Sequence, residues 1–291
     1  MKVSVSIVTY EQESFVEEAV QSVLDQETDF DVEIIIGDDA STDGTRDILR
    51  RMADDNPGRI KLLLHKTNPG DRGLTNVMST IDAAQGEYIA FLDGDDCWSA
   101  RHKLQRMVDF LDAHPECALA AHRTAHLVEG GETILSPRPT RGDSVLPLGR
   151  LIVSNCAEKI ATVVRTSAAR QVPDWYRTTP AISADWIFNV MAGATSGNFG
   201  YVDEVMAGHR IHADSITMRF GNEKMLASKR ESLKFLRGHL PGYRRSLFLA
   251  MLTVTLKQAA QKLSPAGYQS AKRRTLGGSP VDLGSMPTRL K

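Results

Sequence analysis

A chain of 291 residues, 42% hydrophobic and 24% charged, has the make-up of a globular protein with core enough for one large domain or two. Its formal net charge of -1 excludes whole-molecule attraction to nucleic acid or to anionic membrane. Cys97, Cys117 and Cys156 show neither paired nor metal-type spacing, which suits a reducing cytoplasm. The first seven residues turn polar too soon for a secretory signal, and no apolar run reaches the roughly 20 residues of a membrane span.

Residues 3–9 alternate and are rich in β-branched side chains, which predicts a first strand. Ser14 with Glu17 has the form of a capping box, ahead of Val16, Ala19, Val20 and Val23 at helical spacing. Residues 32–37 predict a second strand, running into Asp38-Asp39-Ala40-Ser41-Thr42-Asp43-Gly44 and then a helix carrying Ile48, Leu49 and Met52. Residues 60–64 give a third strand. A loop over 68–73 leads to a helix with Leu74, Val77, Met78 and Ile81, which Gly86 is expected to end. The strand at 88–92 then runs into Asp93, Asp95 and Asp96. This β-α alternation predicts an α/β fold with a mostly parallel sheet, whose acidic clusters at 38–39 and 93–96 share one edge.

Downstream, a helix from 99 ends at Pro115, and strands are expected at 117–122, 124–128 and 160–165. The Pro- and Gly-rich stretch 130–149 reads as an exposed excursion. Ser183 is expected to cap a helix with Asp185 in its first turn, followed by short strands at 199–205 and 207–211. The pattern turns helical from about 220 to 262, and 264–291 is expected to lack fixed structure.

If the backbone stays extended past 93, side chains alternate and Asp93 and Asp95 point the same way, and a hard divalent cation would relieve their repulsion. A charged turn without ligand is the plainer alternative. Asp39-x-Ser41-x-Asp43-Gly44 begins like a calcium loop, but Arg50 stands at its twelfth position and excludes an EF-hand. Asp38 and Asp39 could accept an imide N–H or a ribose hydroxyl, or could cap the next helix. His122 and His126 are four apart with no Glu after the first, so a metalloprotease site has no support. No G-x-G-x-x-G follows the first strand, which argues against nicotinamide binding.

Four segments in order resemble the inverting family-2 glycosyltransferases: Ser6-Ile7-Val8-Thr9-Tyr10-Glu11; Gly37 to Thr45, similar to "DDGSTDGT"; Phe91-Leu92-Asp93-Gly94-Asp95-Asp96-Cys97-Trp98, similar to "FLDSDDxW"; and Ala184-Asp185-Trp186 with His209-Arg210-Ile211-His212-Ala213-Asp214-Ser215-Ile216, similar to "EDW … YRxHxxSxS". The resemblance implies a GT-A fold: a Rossmann-like, mostly parallel central sheet flanked by helices, with a helical carboxyl-terminal extension. It implies a nucleotide-sugar half at 1–98, an acceptor half at 99–220, helices at 221–263 and a tail at 264–291.

The implied activity is metal-dependent inverting transfer of a sugar from a nucleotide diphosphate, UDP favoured, to a hydroxyl acceptor in surface polysaccharide or glycoconjugate synthesis. Thr9, Tyr10, Glu11, Asp38, Asp39, Asp93 and Gly94 would bind the donor nucleotide. Asp95 would be the principal ligand to Mn2+ or Mg2+, with His212 completing its shell. Asp185 is the candidate base: a carboxylate in a helix's first turn is held in the charged, proton-accepting form. Asp96, Arg72, Trp186 and Arg210 are candidate accessories. Sugar-nucleotide synthesis on a related fold, or a non-catalytic nucleotide-sugar-binding subunit, are the alternatives. The first lacks a basic, Gly-rich amino terminus, and the second should have lost these carboxylates. A cytoplasmic setting follows, with the basic carboxyl-terminal helices either resting on the inner face of the membrane or forming a solvated face.

Overall fold

The computed structural model describes residues 1–129, 132–213 and 215–264. Its first half runs β1 (Val3–Thr9), α1 (Val16–Leu24), β2 (Val32–Asp38), α2 (Thr45–Asp55), β3 (Ile60–Leu64), α3 (Leu74–Ala83) and β4 (Tyr88–Asp93). These four strands are parallel in the order β3-β2-β1-β4, as the alternation predicts. Their carboxyl ends share one edge, with Thr9 beside Asp38 and Val8 beside Asp93.

β1 shows why this register holds. Val3, Val5 and Ile7 are fully buried on one face, in the core that α1, α2 and α4 cover. Ser4 and Ser6 face α3, where Ser6 Oγ lies 2.6 Å from Thr80 Oγ1. Small side chains there let the chain come close. Gly86 N–H donates to Ser4 Oγ at 2.8 Å, and a Cβ on Gly86 would fall 2.6 Å from the Ser4 nitrogen. Gly86 is therefore a close-approach glycine; α3 has already ended at Ala83. The capping box expected at Ser14 does not form. The Gln12 carbonyl accepts the Phe15 and Val16 N–H groups at 3.0 Å each, so a backbone turn replaces the side-chain cap.

The second half comprises β5 (Cys97–Trp98), α4 (Lys103–Ala113), β6 (Leu119–Val128), β7 (Glu132–Leu135), β8 (Ser144–Pro147) and α5 (Leu148–Val153). It continues through β9 (Thr162–Arg165), α6 (Thr166–Ala169), α7 (Ala184–Gly193), β10 (Asn198–Ile211), α8 (Ile216–His239) and α9 (Arg244–Leu263). The sheet extends past β4 as β9-β6-β10-β5 and becomes mixed, since β9 is antiparallel to both β4 and β6. The two strands expected over 117–128 are one, β6. Those expected over 199–211 are also one, β10, whose register shifts near Val205 interrupt its alternation. The stretch 130–149 is not all excursion: β7 pairs with β6 and β8 with β10. Ser183 occupies the position before α7 but makes no side-chain cap bond.

α5, α7, α8 and α9 cover the opposite face of the sheet, and Leu151, Trp186, Leu236, Leu247 and Val254 are buried there in one cluster with Phe91. Gly221, at φ 67°, breaks the start of α8. The tail expected to lack fixed structure lies, beyond Ser264, outside the described residues.

Candidate active site

The loops after β1, β2, β3 and β4 meet at the carboxyl edge of the sheet, where ligands of open α/β sheets bind. Three of them hold the non-glycine residues with left-handed backbone, Glu11 (φ 53°), Ala40 (φ 63°) and Arg72 (φ 61°). Such a backbone costs about 1–3 kcal/mol each and persists only where its surroundings enforce it. Here the Glu11 carboxylate accepts from Thr42 N–H at 2.7 Å and Thr42 Oγ1 at 2.9 Å, while Glu11 N–H donates to Ser41 Oγ at 2.9 Å. Glu11 thus pins the β1 loop to the β2 loop. Tyr10 beside it is exposed.

Asp38 faces inward, which corrects the expectation that it touches the nucleotide. It is fully buried. Its Oδ2 accepts from Thr9 Oγ1 at 3.0 Å and Ser41 Oγ at 2.5 Å; its Oδ1 accepts from Ser41 N–H at 3.1 Å and from Arg46 Nε. Every acceptor position is filled, and Thr9 is consumed in the same contact. Asp39 is different. It is buried, and its Oδ1 has no hydrogen-bond partner. Burial raises its pKa, Asp71 and Asp38 add to this, and His65 opposes it. His65 Nε2 and Asp71 Oδ1 are likewise buried without partners. Orphaned buried polar atoms are costly, and three in one cluster mark a place shaped for a polar ligand.

Gly94 lies against β1, its N–H donating to Val8 carbonyl at 2.9 Å. A Cβ there would fall 2.5 Å from Gln12 Oε1 and 2.6 Å from Thr9 Cγ2, so glycine is required by packing. Asp93 is paired with Lys159, Nζ to Oδ1 2.5 Å. Asp95 Oδ2 lies 3.1 Å from His212 Nε2, each side chain about one-fifth exposed. Arg210 fixes this arrangement: its Nη1 donates to the Asp95 carbonyl at 2.8 Å and its Nη2 to Glu18 at 2.5 Å. The Phe15 ring stands 5.2 Å from the His212 ring.

Asp96 is buried, accepting from Arg210 N–H at 2.7 Å and facing His209 Nδ1 at 3.5 Å. It ties β10 to the β4 loop rather than opening toward a ligand. Burial disfavours charge on His209, but Asp96, Glu158, Asp93 and Asp95 outweigh it and raise the imidazole above its ordinary value. His126, beside His209 in register, pairs with Glu158 at 2.8 Å.

Asp185 opens α7. Contrary to the charged form expected of a first-turn carboxylate, burial raises its pKa; the Trp186 N–H and Lys159 oppose the rise, and Asp93 and Glu158 add to it. These charges join the candidate base to the Asp93 end of β4. Trp186 is fully buried, donating to Leu151 carbonyl at 2.8 Å; it anchors α7 and is not a contact surface. Arg72 is exposed and donates to the Ala181 carbonyl at 3.2 Å, linking the β3 loop to the segment before α7. Asp214 lies outside the described residues.

Among the described residues no three His, Cys, Asp or Glu side chains converge as a complete metal cage. A facing carboxylate and imidazole, both open to solvent, do fit an ion that keeps waters and takes phosphate oxygens as further ligands. Lys159, Glu158, His126, His65 and Asp71 belong to the site's surroundings yet carry no motif. His65 and Asp71 could have been suspected, because they border the loop after the third strand.

A family model of glycosyl transferase family 2 matches residues 4–173, more than half the chain. The chain belongs to glycosyl transferase family 2. An uncharacterized protein of Mycobacterium tuberculosis is 33% identical over 217 residues, 73% of this chain and 60% of that one. The chain thus spans about 60% of the length of that relative. An uncharacterized glycosyltransferase of Nostoc sp. is 36% identical over 142 residues, 49% of this chain and 42% of that one. Among solved structures, S. aureus TarS 1–349 in complex with UDP-GlcNAc has a TM-score of 0.66 at 18% identity, covering 94% of this chain and 78% of that one. The mannosyltransferase PcManGT from Pyrobaculum calidifontis, in complex with GDP-Man and Mn2+, has a TM-score of 0.62 at 17% identity, covering 94% and 80%. At such identities the likeness is one of fold, and this family-2 chain has the GT-A fold its motifs imply.

Proposed function

We propose that the chain is a metal-dependent inverting glycosyltransferase that moves a sugar from a nucleotide diphosphate, UDP favoured, to a hydroxyl acceptor of a surface polysaccharide or glycoconjugate. The observation that carries this reading is the unpartnered, buried Oδ1 of Asp39 on the sheet edge that also bears the Asp95–His212 pair. A uracil imide N–H would satisfy that oxygen. Residues 1–98 would hold the donor and 99–220 the acceptor.

Asp95 and His212 would hold Mn2+ or Mg2+, which when bound offsets the charge growing on the leaving diphosphate. Asp185 takes the proton of the acceptor hydroxyl as its oxygen attacks the anomeric carbon. The bond from that carbon to the diphosphate oxygen breaks, and its electron pair leaves with the phosphate. One displacement from the opposite side inverts the anomeric configuration. Free cysteines support a reducing compartment, the cytoplasm. No helix among the described residues is long and apolar enough to cross a membrane.

Calorimetric titration with UDP and a panel of UDP-sugars, with and without Mn2+, tests this. Asp39→Ala should weaken UDP binding about tenfold, the value of one lost charged hydrogen bond. Asp95→Asn should remove the metal-dependent part. Asp185→Asn should bind UDP normally and lose turnover by roughly 10²–10⁴. Nucleotide binding that ignores both Asp39 and Asp95 would overturn the reading.

A further inference from the structure

α9 carries two apolar faces, and the protein uses one. Leu247, Ala250 and Val254, at helical spacing, are buried against α5 and α8. On the opposite side Phe248, Leu249, Leu252 and Leu256 are 68%, 52%, 45% and 61% exposed. At 3.6 residues per turn these four form one stripe, and the exposed Leu263 prolongs it. A helix at the surface of a soluble domain ordinarily presents polar residues there, and a contiguous exposed apolar stripe marks an interaction face.

The charge beside the stripe selects the partner. α9 contains no Asp or Glu. Arg244 and Lys262 flank one edge of the stripe, and Arg245 stands at its amino end. Residues 216–263 hold ten Lys or Arg against two Glu, a formal +8 within a chain of net charge -1. A second copy docking the same face against itself would bring these cations together, so self-association through α9 is opposed. An apolar stripe edged by cations, on a helix unable to span a bilayer, matches a helix lying in the interface of an anionic one.

We infer that the outer face of α9 docks on an anionic lipid surface, Phe248, Leu252 and Leu256 entering the acyl boundary while Arg244, Arg245 and Lys262 meet lipid phosphates. This goes beyond the function proposed above, and its test uses no nucleotide sugar, so either reading can fail without the other.

The full chain is sedimented with vesicles of phosphatidylcholine alone, or with about one-third phosphatidylglycerol, at low and at roughly 0.5 M salt. Binding to the anionic vesicles should exceed that to the neutral ones by at least about tenfold and fall with salt. Phe248→Ser with Leu256→Ser should lose about tenfold or more while the melting temperature holds. Because exposed-face changes could still disturb packing, Arg245→Glu with Lys262→Glu serves as the second variant and should weaken binding comparably. Sedimentation velocity without lipid should give the same species for the wild type and both variants. Equal binding to both vesicle types, or no binding, overturns the inference. So does a wild-type oligomer that the serine variant dissociates, which would assign the stripe to another copy.

Discussion

Lys159 Nζ stands 2.5 Å from Asp93 and also acts on Asp185, so one cation serves two carboxylates. Its effect on the proposed base has a definite sign. Burial raises the Asp185 pKa, with Asp93 and Glu158 adding to it, and Lys159 pulls it back. The base must be ionised to accept a proton. kcat/KM should therefore fall as pH drops through the raised value, and Lys159→Met should move that acid limb to higher pH. At neutral pH its kcat/KM should be roughly tenfold lower, whereas Lys159→Arg should keep the limb in place. A methionine variant with reduced activity but an unmoved limb would make Lys159 only a prop for Asp93. Asp39, Asp95, Asp185 and His212 can be proposed from sequence because each sits in a family motif at the end of a strand or helix. Lys159 cannot be, because it meets Asp93 across 66 residues through a short turn ahead of β9. Asp38 was misread for a related reason: sequence places it beside Asp39, but strand alternation turns one inward and leaves the other at the edge.

The loops of the site are held by contacts between elements, and a close one joins β2 to α3. Asn76 Nδ2 donates to the Gly37 carbonyl at 2.9 Å. A Cβ on Gly37 would fall 1.9 Å from Asn76 Oδ1 and 3.1 Å from Thr80 Cγ2. Gly37→Ala should cost about 2–4 kcal/mol through overpacking, and Asn76→Ala about 1 kcal/mol through the lost hydrogen bond. The double variant should cost less than the sum by 1 kcal/mol or more, since removing Asn76 frees the space the new methyl needs. Urea midpoints of the four proteins measure the coupling, and strictly additive costs would mean the two elements do not constrain each other there. The elements of the first half could be read from periodicity, since each of β1 to β4 is bounded by turn residues. β6 and β10 were each read as two strands. In β10 the register shifts near Val205 break the alternation on which such reading depends.

At the scale of the whole molecule, the carboxyl-terminal helices share the core of the α/β domain. Leu233 and Leu236 of α8 and Leu247, Ala250 and Val254 of α9 are buried in the same cluster as Phe91, Trp186 and Phe199. Trp175, ahead of α7, packs its ring 4.4 Å from Phe235 of α8, and Ile182 N–H donates to Ser228 Oγ at 2.8 Å. α8 thereby braces the segment that delivers Asp185. Sequence showed the helical period here but not which face was inner, because α9 is apolar on both. A shared core predicts shared unfolding. In urea, tryptophan fluorescence and far-ultraviolet circular dichroism should report one coincident transition for the full chain. Leu236→Ala, which empties a fully buried position on α8, should lower the midpoint of that single transition by about 2–5 kcal/mol of stability. If instead an early phase of helix loss separates from an unmoved transition of the sheet, α8 and α9 are an appendage, and the bracing of Asp185 by Ser228 carries no weight.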